Sequence, residues 1–144
     1  MSGTLAVMLI AIAAGIAVAL QGQFMALMNR TVGTATGVVI TYGTGAIVAV
    51  LFWLTRRDAH PPTREIPWYA WTAGALGLII VGGIGYAAPR LGLSRTIILT
   101  IAAQLAAAML IDHFGLFHAQ PRGMDVPRAV GFALTIGGAW LIVK

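Results

Sequence analysis

The chain has 144 residues, of which 59% are hydrophobic and only 9% are charged, whereas soluble domains carry roughly 25% charged residues. So few charges cannot cover a chain against water, which excludes a soluble enzyme and indicates an integral membrane protein. The net charge of +5 would suit nucleic acid in a soluble protein. Here the arginines lie almost entirely between apolar runs, where anionic lipid headgroups bind them, so we expect no nucleic-acid partner.

Five apolar runs follow one another along the chain, and each predicts a transmembrane helix because crossing the hydrocarbon takes about 20 residues. The predicted helices cover residues 5–28, 32–54, 68–88, 93–111 and 129–143 of a single domain, 1–144. The fifth run is short, so we expect Arg128 and Lys144 to extend outward from its ends. The sequence therefore predicts an all-α integral membrane protein with five transmembrane helices per chain.

Short polar segments are predicted to separate these helices. Residues 29–31 are expected to close the first helix, and residues 89–92 to form a Pro/Gly turn. Thr55 to Pro67 is the longest polar stretch, and His113 to Pro127 is predicted to be a loop because prolines stop or start helices.

Lys and Arg residues are divided almost evenly between the two sides of the membrane. An odd number of helices places the chain ends on opposite faces. The face of the N-terminus receives Arg56, Arg57, Arg64, Arg122 and Arg128, and the other face receives Arg30, Arg90, Arg95 and Lys144.

The orientation of a membrane protein follows the Lys/Arg excess on the cytoplasmic side, and a count of five against four barely specifies it. We therefore expect insertion in both orientations and an antiparallel, dual-topology homodimer, which supplies an inverted repeat from one gene. The alternative is an accidental count with one dominant orientation.

Polar side chains inside the predicted helices are candidates for function, because a membrane helix tolerates few of them. The candidate substrate-binding residues are Gln21, Gln23, Thr41, Tyr42, Thr100 and Gln104. Four more, at an entrance or a helix end, are Asn29, Tyr86, Asp112 and His113. Gln104 lies near the middle of the fourth helix, with Thr100 one turn earlier on the same face. For each amide the alternative is an interhelical hydrogen bond, worth about 0.6 kcal/mol.

Ionisable groups are missing from the depth of every apolar run. Small multidrug exporters of the proton-coupled kind use a buried carboxylate in the first helix, and this sequence has none there. A neutral or zwitterionic substrate, or an uncoupled pathway, therefore fits better than proton-coupled exchange of cations. Asp112, at the end of the fourth run, either titrates in a water-filled vestibule or is an interfacial residue paired to His113 or an arginine.

Motifs for catalysis and metal binding are also missing. The sequence has no G-x-S-x-G, no H-E-x-x-H and no phosphate-binding glycine loop. It has no cysteine, and no third ligand accompanies His113 and His118. We therefore expect no enzymatic activity, no metal and no cofactor.

Several short motifs together point to one family. They are Gln23 with Asn29, Pro67-Trp68-Tyr69-Ala70-Trp71 with Gly74 and Gly77, Pro89-Arg90-Leu91-Gly92, Gln104, Leu110 to Leu116, and the Gly-rich segment from Gly131 to Leu141. In these motifs the chain resembles the YdcZ-like inner-membrane exporters (domain of unknown function 606) of the drug/metabolite transporter superfamily. The Asp-His-Phe-Gly run at Asp112, after a mid-helix Gln, is the most specific part of this resemblance, which covers nearly the whole chain.

The resemblance implies more than the composition does. Members of this family occur as single five-helix proteins, as paired genes and as fused ten-helix chains, and single-gene members are expected to insert in both orientations. The implied role is small-molecule transport across the bacterial inner membrane, with poorly defined substrates.

The function predicted from these observations is transport of a small molecule by alternating access in an antiparallel homodimer, and the family resemblance implies that the direction is export. The site is expected near the membrane midplane, between the two copies. Two alternatives stay open: a membrane interaction subunit that transports nothing and stabilises a partner, and a small multidrug-type cation exporter. The first predicts one fixed orientation, and the second predicts a proton flux coupled to addition of a cation.

Overall fold

A computed structural model describes residues 2–55 and 66–144 of the chain, and within these ranges five helices are long and apolar enough to cross a membrane. They are α1 (Ser2–Val32), α2 (Thr34–Thr55), α3 (Ala73–Leu91), α4 (Leu93–Phe114) and α5 (Val126–Val143), with a short 3-10 helix, Trp68–Thr72, leading into α3. This confirms the prediction of an all-α protein with five transmembrane helices. Arg56, Arg57 and Arg64, which the charge count uses, lie outside the described residues.

The first helix is longer than predicted. Residues 29–31 were expected to close it, but they continue the helix, which has 31 residues and ends at Val32. The chain reverses at Gly33, whose φ of +82° is rarely adopted by residues with side chains. Near the end of α1, the side-chain hydroxyl of Thr31 donates a hydrogen bond to the backbone carbonyl of Leu27, one turn earlier, at 2.8 Å. The first break therefore falls at the glycine.

The predicted turn at residues 89–92 is wrong for its first three residues, which continue α3. Pro89 lies inside α3, which continues to Leu91, and the helix ends where Gly92 takes a φ of +86°. Transmembrane helices tolerate proline because neighbouring groups satisfy the backbone that it frees. The glycine, rather than the proline, separates α3 from α4.

The predicted loop at residues 113–127 is shorter than expected at both ends. The fourth helix continues to Phe114 and ends at Gly115, whose φ of +60° gives a left-handed C-cap. The fifth helix already begins at Val126, because Asp125 caps it by accepting a hydrogen bond from the backbone N–H of Arg128 at 2.8 Å. Proline suits the first turn of a helix, so Pro127 does not delay its start. With 18 residues, α5 is long enough to span.

The chain divides into two compact units, Met1–Arg90 and Leu91–Lys144. In the second unit α4 and α5 pack along each other. In the first unit α1 packs on α2, and Met25 of α1 is the most buried large side chain, with 1% of its surface exposed. Its sulfur accepts a hydrogen bond from the hydroxyl of Thr41 at 3.0 Å.

Two glycines allow Met25 to approach the neighbouring helices. A Cβ atom added to Gly85 of α3 would lie 2.9 Å from the Met25 methyl carbon and 3.4 Å from the Met25 Cβ. A Cβ atom added to Gly37 of α2 would lie 3.2 Å from the Cβ of Met28 and 3.6 Å from the Met25 methyl carbon. Close backbone approach of this kind holds membrane helices together where lipid provides little hydrophobic drive.

Replacing Gly85 with valine is expected to destabilise the first unit. The added branched side chain meets the buried Met25, and overpacking of this kind costs about 1–3 kcal/mol. Gly83→Val is the matched control, because a Cβ at Gly83 meets nothing within 4 Å. Thermal unfolding of the two purified variants in the same detergent checks the prediction. Equal melting temperatures for both would contradict the packing described for Met25.

Candidate functional site

The predicted site residues are divided between the two units of the chain. The first unit holds Gln21, Gln23, Asn29, Thr41, Tyr42 and Tyr86, and the second holds Thr100, Gln104, Asp112 and His113. Each set is described within its own unit.

A groove with polar residues on its walls runs between α1 and α2. We call it the α1–α2 groove. One part of the groove has a volume of about 360 Å³ and is lined by Ala17, Leu20, Gln21, Phe24, Met28, Ile40, Thr41 and Thr44. It continues along α2 past Gly45, Val48, Ala49 and Phe52. The structure therefore brings two predicted site residues, Gln21 and Thr41, together. It adds Thr44, which the predicted set lacks although it lies on the same side of α2, three residues after Thr41.

The polar part of the groove lies at mid-depth. Gln21 precedes the end of α1 at Val32 by eleven residues, and Thr44 follows the start of α2 at Thr34 by ten. At a rise of 1.5 Å per residue, both lie about 15 Å from the reversal at Gly33. The hydrocarbon core of a bilayer is roughly 30 Å thick. Gln21 and Thr44 therefore lie near the middle of the membrane.

The hydrogen bonds of the groove leave one group unpaired. Thr41 donates to the Met25 sulfur, and Thr44 donates to the Ile40 carbonyl at 2.9 Å. The exposed carboxamide of Gln21 has no hydrogen-bond partner within the described ranges. An unpaired amide in hydrocarbon costs several kcal/mol, on the order of 2–7. Gln21 is therefore the group of this groove that is available to pair with a solute, water or another chain.

Two of the other predicted residues of the first unit, Tyr42 and Asn29, serve other contacts. The hydroxyl of Tyr42 lies directly against Gly77 of α3, in the space that a Cβ atom there would need. The side-chain amide of Asn29 donates to the hydroxyl of Thr34, across the reversal between α1 and α2. Gln23 is exposed and does not line the α1–α2 groove. The structure therefore gives Tyr42 a packing role and Asn29 a role at a helix end.

Tyr86 is engaged by an arginine near the end of α3. The Arg90 guanidinium lies 3.6 Å from the centre of the Tyr86 ring, and its Nη1 donates to the Tyr86 carbonyl at 2.5 Å. A cation over an aromatic face is attracted by the ring quadrupole. This pair holds a positive charge and an amphipathic ring together at a helix end, where headgroups lie.

In the second unit, Gln104 is isolated from the other predicted residues. It lies in the middle of α4 and is exposed. No hydrogen-bond partner for its amide exists among residues 2–55 and 66–144. Thr100, one turn earlier, instead donates to the carbonyl of Thr96 at 2.8 Å. A helical threonine with this bond needs no other hydrogen-bond partner. Gln104, in contrast, still needs one.

Asp112 is paired with an arginine across the α4–α5 connection. An Arg128 nitrogen lies 3.7 Å from an Asp112 carboxylate oxygen, and both side chains are partly exposed. The backbone N–H of Arg122 donates to the Asp112 carbonyl at 2.8 Å. His113 instead contacts Phe114, with their rings edge to face at 4.9 Å. Of the environments considered for Asp112, the structure shows pairing with an arginine.

The ion pair lies at one end of a groove between α4 and α5. This groove also measures about 360 Å³ and is lined by Leu105, Ala108, Met109, Asp112, Arg128, Gly131, Phe132 and Thr135. Its walls are otherwise mostly apolar. The two carboxylates of the described ranges, Asp112 and Asp125, are thus both engaged at helix ends.

Comparison with known proteins identifies a family. A family model described as "Putative inner membrane exporter, YdcZ" covers residues 6–141. Neither a curated protein nor a solved structure matches the chain. The family match and the five apolar spans together place the protein in the inner membrane as a multi-pass protein. Because the match covers nearly the whole sequence, this chain belongs to the YdcZ family of the drug/metabolite transporters.

Proposed function

We propose that the protein exports a small molecule across the inner membrane by alternating access, and that it works as an antiparallel homodimer. The α1–α2 groove carries this proposal. It has apolar walls and three polar side chains, of which Gln21 and Thr44 lie at mid-depth, and the Gln21 amide has no hydrogen-bond partner among the described residues. Binding sites for small molecules have this composition, with few polar groups in a mostly apolar cleft of about 300–1,000 Å³.

The chemistry of the groove favours a neutral or zwitterionic solute. Its polar groups are a carboxamide and two hydroxyls, and among the residues that the structure describes no charged side chain lines it. A carboxamide both donates and accepts hydrogen bonds, so it can pair with a hydroxyl, a carbonyl or an amine. A permanent ion in this groove would lack a counter-charge.

The homodimer is supported by the charges and by the amides. Five Lys/Arg on one face against four on the other leave orientation almost unspecified. Gln21 and Gln104 are both exposed and have no hydrogen-bond partner among residues 2–55 and 66–144, although polar groups inside a membrane normally face a bundle interior or a water-filled cavity. A second copy supplies such an interior. The Gly82–Gly85 segment of α3 offers a point where a helix can bend during alternating access.

Export itself is tested by what cells release. Cells that express the protein and cells that carry an empty vector are grown alike, and small polar solutes in the medium are compared by mass spectrometry. We expect at least one neutral or zwitterionic solute to accumulate faster outside the expressing cells. Identical media would contradict transport and favour a subunit that serves another membrane protein. Acidification linked to release of an organic cation would instead favour a cation exporter.

Single cysteines at the two ends of the chain test the antiparallel arrangement. The native chain has no cysteine, so Ser2→Cys and Lys144→Cys give clean labelling with a membrane-impermeant maleimide. In intact cells we expect each variant to be labelled in a substantial fraction of its molecules, because the chain inserts both ways. Permeabilised cells give the total for each variant. Labelling at one end alone would rule out the antiparallel homodimer.

A further inference from the structure

We propose that Gln104 lies on the two-fold axis of the homodimer and pairs there with the partner's Gln104. This inference rests on the antiparallel homodimer proposed above, and it adds which helix lies at the centre of the interface. The carboxamide of Gln104 is exposed in the middle of α4 and has no partner in the described part of its own chain.

The depth of Gln104 follows from the charges on its own helix. Arg95 lies nine residues before it and Asp112 lies eight residues after it. Charged groups at the two ends of a span lie towards opposite headgroup layers. At 1.5 Å per residue, Gln104 is about 12–14 Å from each of them. It therefore lies at the midplane of the bilayer.

The two-fold symmetry of an antiparallel dimer determines which residues can contact their own copies. An antiparallel pair of identical chains is related by a two-fold axis that lies in the membrane plane. Only residues at the midplane can meet their own counterparts across that axis. A residue seven positions before Gln104 faces the residue seven positions after it in the partner, and the two copies of either one are about 21 Å apart.

The carboxamide is suited to meeting its own copy. It carries an acceptor oxygen and two N–H donors, so two glutamines can exchange two hydrogen bonds, each residue using its oxygen and one N–H. Such pairing lowers the cost of an open amide in hydrocarbon while no solute is bound. A solute that enters near the axis can replace one partner. The pair therefore represents a closed, solute-free arrangement of the interface.

The face of α4 that carries Gln104 differs from the face that packs on α5. The α4–α5 groove is lined by Leu105 and Met109, which lie about 100° and 140° around α4 from Gln104, and by Ala108 at the border between the two faces, but not by Gln104 itself. Ile97 and Ile111 lie two turns from Gln104 in either direction, close to its own face. Both are partly exposed, so the stripe of α4 centred on Gln104 is available for a second copy.

Cysteine cross-linking in native membranes tests this register. The variants are Gln104→Cys, Ile97→Cys and Ile111→Cys, each in the cysteine-free chain, treated with a bifunctional maleimide too short to span 21 Å, about four turns of helix. Ala103→Cys is the control for random collision, because Ala103 is exposed at the same depth but on another side of α4. Ile97→Cys and Ile111→Cys chains that carry different tags are also coexpressed. A cross-link between the two tags then reports contact of position 97 in one chain with position 111 in the other.

We expect Gln104→Cys to form several-fold more cross-linked dimer than Ala103→Cys. Ile97→Cys and Ile111→Cys should give no cross-linked dimer when expressed alone and should cross-link to each other when coexpressed. If all three variants instead cross-link to themselves, the helices run parallel, and both this inference and the antiparallel homodimer are overturned. If none cross-links while both chain ends are still labelled from outside, the dimer stands but its axis does not pass through α4.

Discussion

Cells that express Gln21→Leu are expected to release the exported solute about 10- to 100-fold more slowly than cells with the native chain, because a lost hydrogen bond in a desolvated site costs on the order of 1–3 kcal/mol. Leucine fills a similar volume, so the α1–α2 groove keeps its shape and loses its only unpaired polar group. Folding should be preserved, because the exposed Gln21 side chain makes no hydrogen bond to any residue in 2–55 or 66–144.

The measurement compares initial rates of release at equal amounts of protein in the membrane. Gln120→Leu is the matched control, since Gln120 is an exposed glutamine between α4 and α5, outside the spans. It undergoes the same chemical change without touching the groove. Normal release by Gln21→Leu would remove the α1–α2 groove from the pathway, and equal loss in both variants would indicate a general effect of the added apolar surface.

The number of helices could be predicted from the sequence because each span is a local property. An apolar run of sufficient length crosses the membrane whatever its neighbours are. The ends were less predictable, because caps and reversals depend on backbone conformation. Gly33, Gly92 and Gly115 stop helices through positive φ angles, whereas Pro89 and Pro127, which the sequence suggested as boundaries, lie within helices.

The candidate site was predictable only as a set of polar residues. Their depth in apolar runs singled out Gln21, Thr41 and Gln104, but which residues share a groove depends on packing between distant segments. The contact of Tyr42 with Gly77 and the ion pair between Asp112 and Arg128 each join two helices. No local pattern encodes either contact. Thr44 is absent from the predicted set because only the packing of α1 on α2 shows that it shares a groove with Gln21 and Thr41.

Fixing the chain in one orientation is expected to stop release of the solute. This can be done with few substitutions, because the Lys/Arg counts on the two faces are nearly equal. In Arg30→Gln/Arg95→Gln the counts become five against two, so we expect nearly all chains to insert one way. Neither arginine has a hydrogen bond or ion pair to any residue in 2–55 or 66–144, so folding should be unaffected. A second variant, Arg56→Gln/Arg57→Gln/Arg64→Gln, leaves two against four and favours the opposite orientation.

Each variant expressed alone is expected to lose release of the solute, because chains with one orientation cannot form an antiparallel pair. Coexpression of the two variants should restore it, since each supplies the orientation that the other lacks. Labelling of single cysteines at Ser2 and Lys144 in the same cells verifies that the orientations are fixed. Two copies of the same variant, expressed from the same pair of plasmids, control for dosage. If a variant with verified single orientation exports at the native rate, the functional unit is not an antiparallel pair, and the balance of charge in this chain has another origin.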